Sequence, residues 1–495
     1  MNASSCLEAG REFFAAGNYD RAAEVFTGII AQEPRNAQAQ FALGQVYLAQ
    51  KSYGIAEQRF LQALESDALQ AGAVHREMGG LYRTLEDHDQ ALGHYEACIA
   101  AGCASPDILE YLGNVYRERG RLGPAADAFA RALEALPGDD LFLRNKLLND
   151  LEICRGKTLL ESKPIALGVT LTSRCNLKCV MCTAVKDSWE LPWAAQQEVL
   201  SMLPYLEHIY WKGGEVQLYP DFEVLFDAAA RHPRICQEIS TNGLLLDSAW
   251  IRRLVCNKVE LSLSIDGFTQ GVYENIRKGG SFQTLMRNIQ ELNRCRQEAG
   301  GASGFHMNFN FVLMSENCRE LERIVAFAVD NGFTHIKISA VIAPSADSGL
   351  PLLPPEFLRR LPSLKQDILQ EARRHGIYVF MAVPDCGPAR AVPNAVPSGP
   401  SGPALSRPAD ARLCYLPWQH LSIGDRGRVL PYECFCPHAV GDIASETLQQ
   451  IWNNGAMQSY RSRIASGDYG GWCSGKCTDG TLARHCLGIH RLRCD

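Results

Sequence analysis

One glycine-centred pattern, repeated four times at nearly constant spacing, constrains this chain more than any other feature. Gly10, Gly44, Gly79 and Gly113 follow one another with a period of about 34 residues. Three residues after each stands an aromatic: Phe13, Tyr47, Tyr82 or Tyr116. Twelve after each stands Ala22, Ala56, Ala91 or Ala125, and four further on Phe26, Phe60, Tyr95 or Phe129. Pro34 and Pro137 end the first and fourth units. Small residues let paired helices approach, and aromatics fill the space between them. A unit this short cannot bury its apolar face alone, so four are expected to stack against one another.

The repeat resembles the tetratricopeptide repeat (TPR) and covers residues 1–140. A TPR solenoid implies a surface for a peptide, a partner protein or a substrate carrier; a structural appendage to the rest of the chain is the alternative. Residues 141–163 read as a capping helix and linker. From 164 to 383 strand-like runs (IALGVTLT, HIYWKGGE, QEISTNG, VELSLSID, HMNFNFVLM, HIKISAV) alternate with helical stretches such as FEVLFDAAARH and SFQTLMRNIQELNRCRQ. Repeated β–α units imply a parallel sheet or barrel, and the functional residues of such barrels gather at the C-terminal ends of the strands. Residues 384–410 are rich in Pro, Gly, Ala and Ser and read as a flexible linker or lid. A small Cys-rich domain, 411–495, follows.

The first strand-like run leads into LTSRCNLKCVMC, which sets Cys175, Cys179 and Cys182 in a C-x3-C-x2-C spacing. With 19 Cys in 495 residues, composition alone produces such a triplet roughly 0.03 times per chain. Three thiolates this close can grip three corners of a 4Fe–4S cluster and leave the fourth iron open to a substrate or cofactor. Scattered buried thiols or a zinc knuckle are the alternatives, but zinc takes four N/S ligands in paired spacings and no fourth is near in sequence. The net charge of −6 gives no basic footprint for nucleic acid. No apolar run is long enough to cross a bilayer, and the stretch MNASSCLEAGREFF lacks the basic and apolar blocks of a signal peptide. The chain therefore reads as cytoplasmic, with no membrane or nucleic-acid partner. In a reducing compartment its cysteines serve as metal ligands and buried thiols, not as a disulfide framework.

The triplet resembles the signature of the radical S-adenosylmethionine (AdoMet, SAM) enzymes. That resemblance implies a partial (β/α)6 TIM-like barrel. It implies a 4Fe–4S cluster held by Cys175, Cys179 and Cys182, whose open iron chelates AdoMet, and a low-potential electron donor of flavodoxin or ferredoxin type. An electron from the cluster then cleaves AdoMet to a 5′-deoxyadenosyl radical. Met181 stands where the family often places a large side chain near the adenine. Lys212-Gly213-Gly214-Glu215, at the end of the second strand, resembles the GGE motif that holds the AdoMet amino group, although Val216 stands where Pro is common. Ser240-Thr241-Asn242-Gly243 and Ser264-Ile265-Asp266-Gly267, followed by Tyr273 and Arg277, resemble further AdoMet-binding segments. Ser240, Asn242, Ser264, Asp266 and Arg277 are thus candidate contacts, with a helix-capping role for Asp266 left open.

The Cys-rich stretch contains CYLPWQHLSIGDRGRVLPYECFC, GDIASETLQQIWNN and CSGKC. These segments resemble the SPASM or shorter twitch extension of radical SAM enzymes, which implies an auxiliary 4Fe–4S cluster on Cys414, Cys434, Cys473 and Cys477. Cys436 is an alternative to Cys434, and Cys486 and Cys494 would serve a second cluster. A zinc site on the same thiolates stays open. His306, His335 and Cys386 are not singled out by spacing, nor are the thiols Cys98, Cys236 and Cys256. The implied activity is hydrogen abstraction from a peptide or protein recognised by the repeats. Oxidation of a small molecule, with the auxiliary cluster as electron acceptor, is a second reading, and a non-enzymatic repeat adaptor with redox-sensing metal sites a third. The expected fold class is a multidomain α plus α/β chain: α-solenoid, partial barrel, Cys-rich extension.

Overall fold

A computed structural model describes residues 3–66, 71–182, 188–300, 304–341, 353–383, 414–431 and 438–468. Two compact units emerge: 1–140 with 150–155, and 141–149 with 156–495. The segment 384–410, Cys386, and Cys434, Cys436, Cys473, Cys477, Cys486 and Cys494 lie outside the described residues.

The first unit is built from antiparallel helix pairs: α1 (Ala3–Ala15) with α2 (Tyr19–Gln32), α3 (Ala37–Ala49) with α4 (Tyr53–Ser66), α5 (Ala71–Thr84) with α6 (His88–Ala100), and α7 (Pro106–Glu118) with α8 (Leu122–Ala135). Helix α9 (Leu141–Cys154) follows. The repeat arithmetic has a direct steric cause. A Cβ added at Gly10, Gly44, Gly79 or Gly113 would lie 2.4, 2.6, 2.6 and 2.6 Å from the rings of Phe26, Phe60, Tyr95 and Phe129 respectively. Each glycine therefore clears the space its partner ring occupies, and Ala22, Ala56, Ala91 and Ala125 are all fully buried beside them. Burying one such ring stabilises the pair by about 1.5–3 kcal/mol. Asn18, Asn36 and Asp87 accept backbone N–H groups at the starts of α2, α3 and α6, capping donors that would otherwise lack partners.

The second unit is a sheet with helices on one face. Its strands are β1 (Ala166–Thr170), β2 (His208–Lys212), β3 (Cys236–Thr241), β4 (Val259–Ser264), β5 (His306–Leu313), β6 (His335–Ala340), β7 (Tyr378–Ala382), β8 (His420–Ile423), β9 (Arg428–Leu430) and β10 (Gly441–Asp442). The order is β10-β9-β8-β1-β2-β3-β4-β5-β6-β7. Strands β8 and β1 to β7 pair in parallel; β9 and β10 run antiparallel at one edge. Helices α10 (Trp193–Met202), α11 (Phe222–Ala230), α12 (Ser248–Val255), α13 (Gln270–Ile276), α14 (Phe282–Glu298), α15 (Ile324–Asp330) and α16 (Pro355–Arg374) alternate with β1 to β7. The six strands read from the sequence are all present. Two more extend the parallel set: β7, and β8 from the stretch read as the Cys-rich extension.

One face of the sheet packs on the helices. Met307, Phe309, Phe311 and Leu313 of β5 are fully buried there, with Phe309 edge-on to Phe327 of α15 at 5.8 Å. Trp211 of β2 meets Phe222 of α11 in the same way at 6.0 Å. The residues between them, such as Tyr210, Lys212, Asn310 and Lys337, point to the opposite face, because successive strand residues alternate. That face is polar and partly open: β2 and β6 alternate buried with half-buried or exposed positions. Beyond β10 come α18 (Leu448–Trp452) and α19 (Gly455–Ala465), after the short helix α17 (Leu416–Gln419) that precedes β8. Arg461 stacks on Trp452 at 4.3 Å and donates to the carbonyls of Pro417 and Thr158. Trp452 Nε1 donates to Ser162 O at 2.7 Å. The end of the described chain is thus tied to the segment leading into β1.

Candidate active site

The cysteine loop begins directly after β1 and is anchored on three sides. Toward β2, Gly214 N donates to Thr172 O at 2.7 Å and Glu215 N to Arg174 O at 2.8 Å. Toward α13, Lys178 N donates to Lys278 O and Val180 N to Ile276 O, at 2.9 and 3.0 Å. Toward β3, Asn242 Nδ2 donates to Asn176 Oδ1 at 2.8 Å. These bonds fix the backbone around Cys175, Cys179 and Cys182 while the first and last of them stay exposed and Cys179 is half-buried. Met181 is half-buried between them.

The two glycines of the β2 turn are required by this anchoring. Gly213 adopts φ +151°, and a Cβ there would lie 2.4 Å from Thr172 O. At Gly214 a Cβ would lie 2.2 Å from Arg174 O, on the backbone of the cysteine loop itself. Next to them Glu215 is fully buried. Its carboxylate accepts from Thr241 Oγ1 at 2.6 Å and from Asn242 N at 2.9 Å. Burial pushes its pKa up to about 6, against the Thr241 hydroxyl and the Asn242 and Gln217 amides, which favour the charged form. The motif therefore braces three loop segments: the cysteine loop, its own turn and the start of the β3 turn.

Asp266 and Arg277 form a second buried element. Arg277 Nη2 meets Asp266 Oδ2 at 2.6 Å, and Asp266 Oδ1 accepts Val312 N at 2.7 Å. Asp266 does not cap α13; Thr269 stands at that position. Arg277 Nη1 reaches Cys179 Sγ at 3.7 Å. Burial raises the thiol pKa of Cys175 and of Cys179, and Arg277 opposes this at Cys179. Ser240 Oγ pairs with Tyr210 OH at 2.9 Å. Ser264, half-buried at the end of β4, has no side-chain partner among the described residues. The sequence reading missed Asn176, which lies between two of the cysteines, and the backbone pairing to Ile276 and Lys278. Position inside the triplet was the available signal for Asn176; nothing in the sequence marked the other.

Three thiolates on one short loop suit the corners of an iron–sulfur cluster. Among the described residues no three His, Cys, Asp or Glu side chains converge as ligands of one metal would. A cubane spreads its ligands, each thiolate holding a different iron. Cys175 and Cys182 are near enough for their charges to act on Cys179. Beside Cys179 two buried donors lack partners, Tyr273 OH and Arg277 Nε. Orphaned donors next to a thiolate fit an anionic group bound there. The residues present therefore fit a cluster with an anionic cofactor beside it.

Comparison with known proteins agrees with this geometry. Residues 169–328 match the radical SAM superfamily, 7–72 and 76–140 match tetratricopeptide repeats, and 414–478 match the SPASM iron–sulfur cluster-binding domain. The mycofactocin maturase MftC of Mycobacterium ulcerans is 31% identical over 178 residues, 34% of this chain and 46% of that protein. The PqqA peptide cyclase of Gluconobacter oxydans is 27% identical over 317 residues, 59% of this chain and 78% of that protein. The Streptococcus suis SuiB structure bound to precursor peptide SuiA is 15% identical with a TM-score of 0.48, covering 76% of this chain and 83% of that one. The chain spans about half the length of the mycofactocin maturases it matches. No helix among the described residues is long and apolar enough to cross a membrane. A radical SAM domain implies a 4Fe–4S cluster and AdoMet, and a SPASM domain an auxiliary cluster. From N- to C-terminus the chain thus carries tetratricopeptide repeats, a radical SAM domain and a SPASM iron–sulfur domain.

Proposed function

We propose that this protein is a radical SAM enzyme that modifies a peptide or protein. The observation that carries the reading is the anchored loop of Cys175, Cys179 and Cys182 with the buried Arg277 beside Cys179. When bound, the cluster supplies an electron and an open iron for AdoMet, whose cleavage furnishes the hydrogen-abstracting radical. The chain's own residues do the rest. Cys175, Cys179 and Cys182 hold the cluster, and the bonds to Thr172, Arg174, Lys278 and Ile276 fix their backbone. Arg277, held by Asp266, keeps a positive charge beside Cys179 and presents donors to a carboxylate. The backbone of Gly213 and Gly214, braced by Glu215, would hold the amino group of the cofactor. Ser240, Asn242, Ser264 and Met181 line the approach. Cys414, with Cys434 or Cys436, Cys473 and Cys477, would hold the auxiliary cluster.

A peptide substrate is supported by the PqqA peptide cyclase, which is named for one and aligns with 59% of this chain. The solenoid of residues 1–140 supplies the surface that would grip a leader or carrier. A small-molecule substrate has its own support in a 27% identical relative, the GTP 3′,8-cyclase of Synechocystis. The test is anaerobic incubation of the reduced, reconstituted protein with AdoMet. 5′-Deoxyadenosine from the wild type and none from Cys179→Ala is the expected result; equal cleavage by both would sink the site assignment. A chain lacking the repeats should still cleave AdoMet but lose turnover of the peptide.

A further inference from the structure

The open face of the sheet carries a row of polar side chains that begins at Ser264, beside the cofactor site, and continues past it. Ser264 of β4, Asn310 of β5 and Lys337 of β6 are in register on neighbouring strands. In-register residues of a parallel sheet share a face, and adjacent strands lie about 4.8 Å apart. Asn310 alternates with Phe309 and Phe311, which are buried against the helices, so all three face away from them. Lys337 stands exposed between Ile336 and Ile338, both buried. Among the described residues neither Lys337 nor the Asn310 side chain has a partner. Two residues before Asn310 on the same face, Asn308 is 6% exposed, and its Oδ1 has no hydrogen-bond partner.

The buried Asn308 oxygen is costly without a ligand, whereas the exposed Lys337 is free to meet one. A cation covered by substrate without a counter-charge loses its hydration, and a buried amide oxygen without a donor costs about 1–3 kcal/mol. The acids on this face do not answer Lys337. Glu260 lies level with His306, four residues along the strands from the Asn310 level, and Glu238 meets His208 at 3.6 Å. Asp266 is taken by Arg277. Lys337 and Asn310 offer donors to an anion, and Asn308 offers an acceptor to an N–H a short way along the strand.

We propose that Lys337 and Asn310 bind a carboxylate of the substrate and that Asn308 accepts from an amide N–H next to it. This rests on the radical-enzyme reading and names the substrate class: a peptide carrying a carboxylate, at its C-terminus or on a side chain, at the reacting end. The Ser264 end of the row lies toward the Arg277 side, the Lys337 end two strands further along the sheet. The row so extends from the cofactor region into the region left for substrate.

The test is saturation-transfer NMR on the reconstituted full-length protein with three probes: N-acetylalanine, N-acetylglutamate α-amide and neutral N-acetylalaninamide. The site predicts binding of one or both carboxylates over the neutral amide. The stronger of the two tells a C-terminal from a side-chain carboxylate. Lys337→Gln should weaken binding by about tenfold, Asn310→Ala by severalfold, and Lys337→Arg should keep most of it, which excludes misfolding as the cause. Added AdoMet should leave the signal in place. Equal binding of the neutral amide, no effect of Lys337→Gln in a folded protein, or displacement by AdoMet would each overturn the site, the last because the occupant would be the cofactor's own carboxylate. Probe binding by a protein that cleaves no AdoMet would overturn the radical-enzyme reading and leave the carboxylate site standing. Cleavage without probe binding would overturn the site alone.

Discussion

Replacing Gly214 with alanine tests whether the β2 turn is a structural brace for the cysteine loop. The added Cβ would sit 2.2 Å from Arg174 O and 2.7 Å from Ser173 O, where ordinary contact begins near 3.4 Å. Backbone, not a flexible side-chain tip, must yield by that difference. Such a shift breaks or lengthens two bonds, Gly214 N to Thr172 O and Glu215 N to Arg174 O, each worth about 1 kcal/mol. With backbone strain of about 1–3 kcal/mol, the local cost is about 3–5 kcal/mol. A displacement of about 1 Å at a reacting centre lowers rate by about a hundredfold. The variant should therefore retain the far-UV circular dichroism of the wild type, bind less iron on reconstitution, and form 5′-deoxyadenosine about a hundredfold more slowly. Wild-type iron content with cleavage within about threefold of wild type would refute the bracing argument.

Four further outcomes are expected. Cys179→Ala should lose about four irons per chain on reconstitution, counted by colorimetric assay, with the auxiliary cluster spared. Asp266→Ala leaves Arg277 buried without its counter-charge and should cost about 3–5 kcal/mol, seen as a lowered unfolding midpoint; Asp266→Asn should retain more stability by keeping an acceptor for Val312 N. Glu215, with a pKa raised by burial to about 6 from 4.5, favours the folded state most when protonated. In iron-free protein without AdoMet its contribution should be full below about pH 4.5 and fall by about 2 kcal/mol as pH rises through 6. Denaturant unfolding of Glu215→Gln should show a flatter pH slope across that window. Phe60→Ala, which empties the space cleared by Gly44, should destabilise the repeat unit by about 3–5 kcal/mol, read from its helical circular dichroism.

The parts legible in the sequence are those whose partners sit close along the chain. Gly10 and Phe26, or Gly113 and Phe129, stand in adjoining helices joined by a short turn, so their packing leaves a repeating trace. The cysteine triplet likewise fits within one short loop. Relations across the sheet leave no such trace. Ser264, Asn310 and Lys337 are set side by side by strand register, across connections in which α13 to α15 intervene, and no local pattern encodes that register. The Arg277–Cys179 contact joins residues 98 apart. Strands β7 and β8 escaped the reading for a related reason: one is a short run, YVFMA, after a long helix, the other four residues, HLSI, after a helix of four. Neither shows enough alternation to stand out from its flanks. The auxiliary-cluster cysteines other than Cys414 lie outside the described residues, and their assignment rests on the sequence resemblance.

Anaerobic reconstitution with iron and sulfide, followed by iron counting and an AdoMet cleavage assay under reduction, tests the central claim most directly. About eight irons per chain with 5′-deoxyadenosine formed is the predicted result, giving one cluster on the barrel loop and one in the SPASM domain. Zinc in place of iron, with no cleavage of AdoMet, would contradict it and leave a metal-stabilised repeat adaptor as the better description.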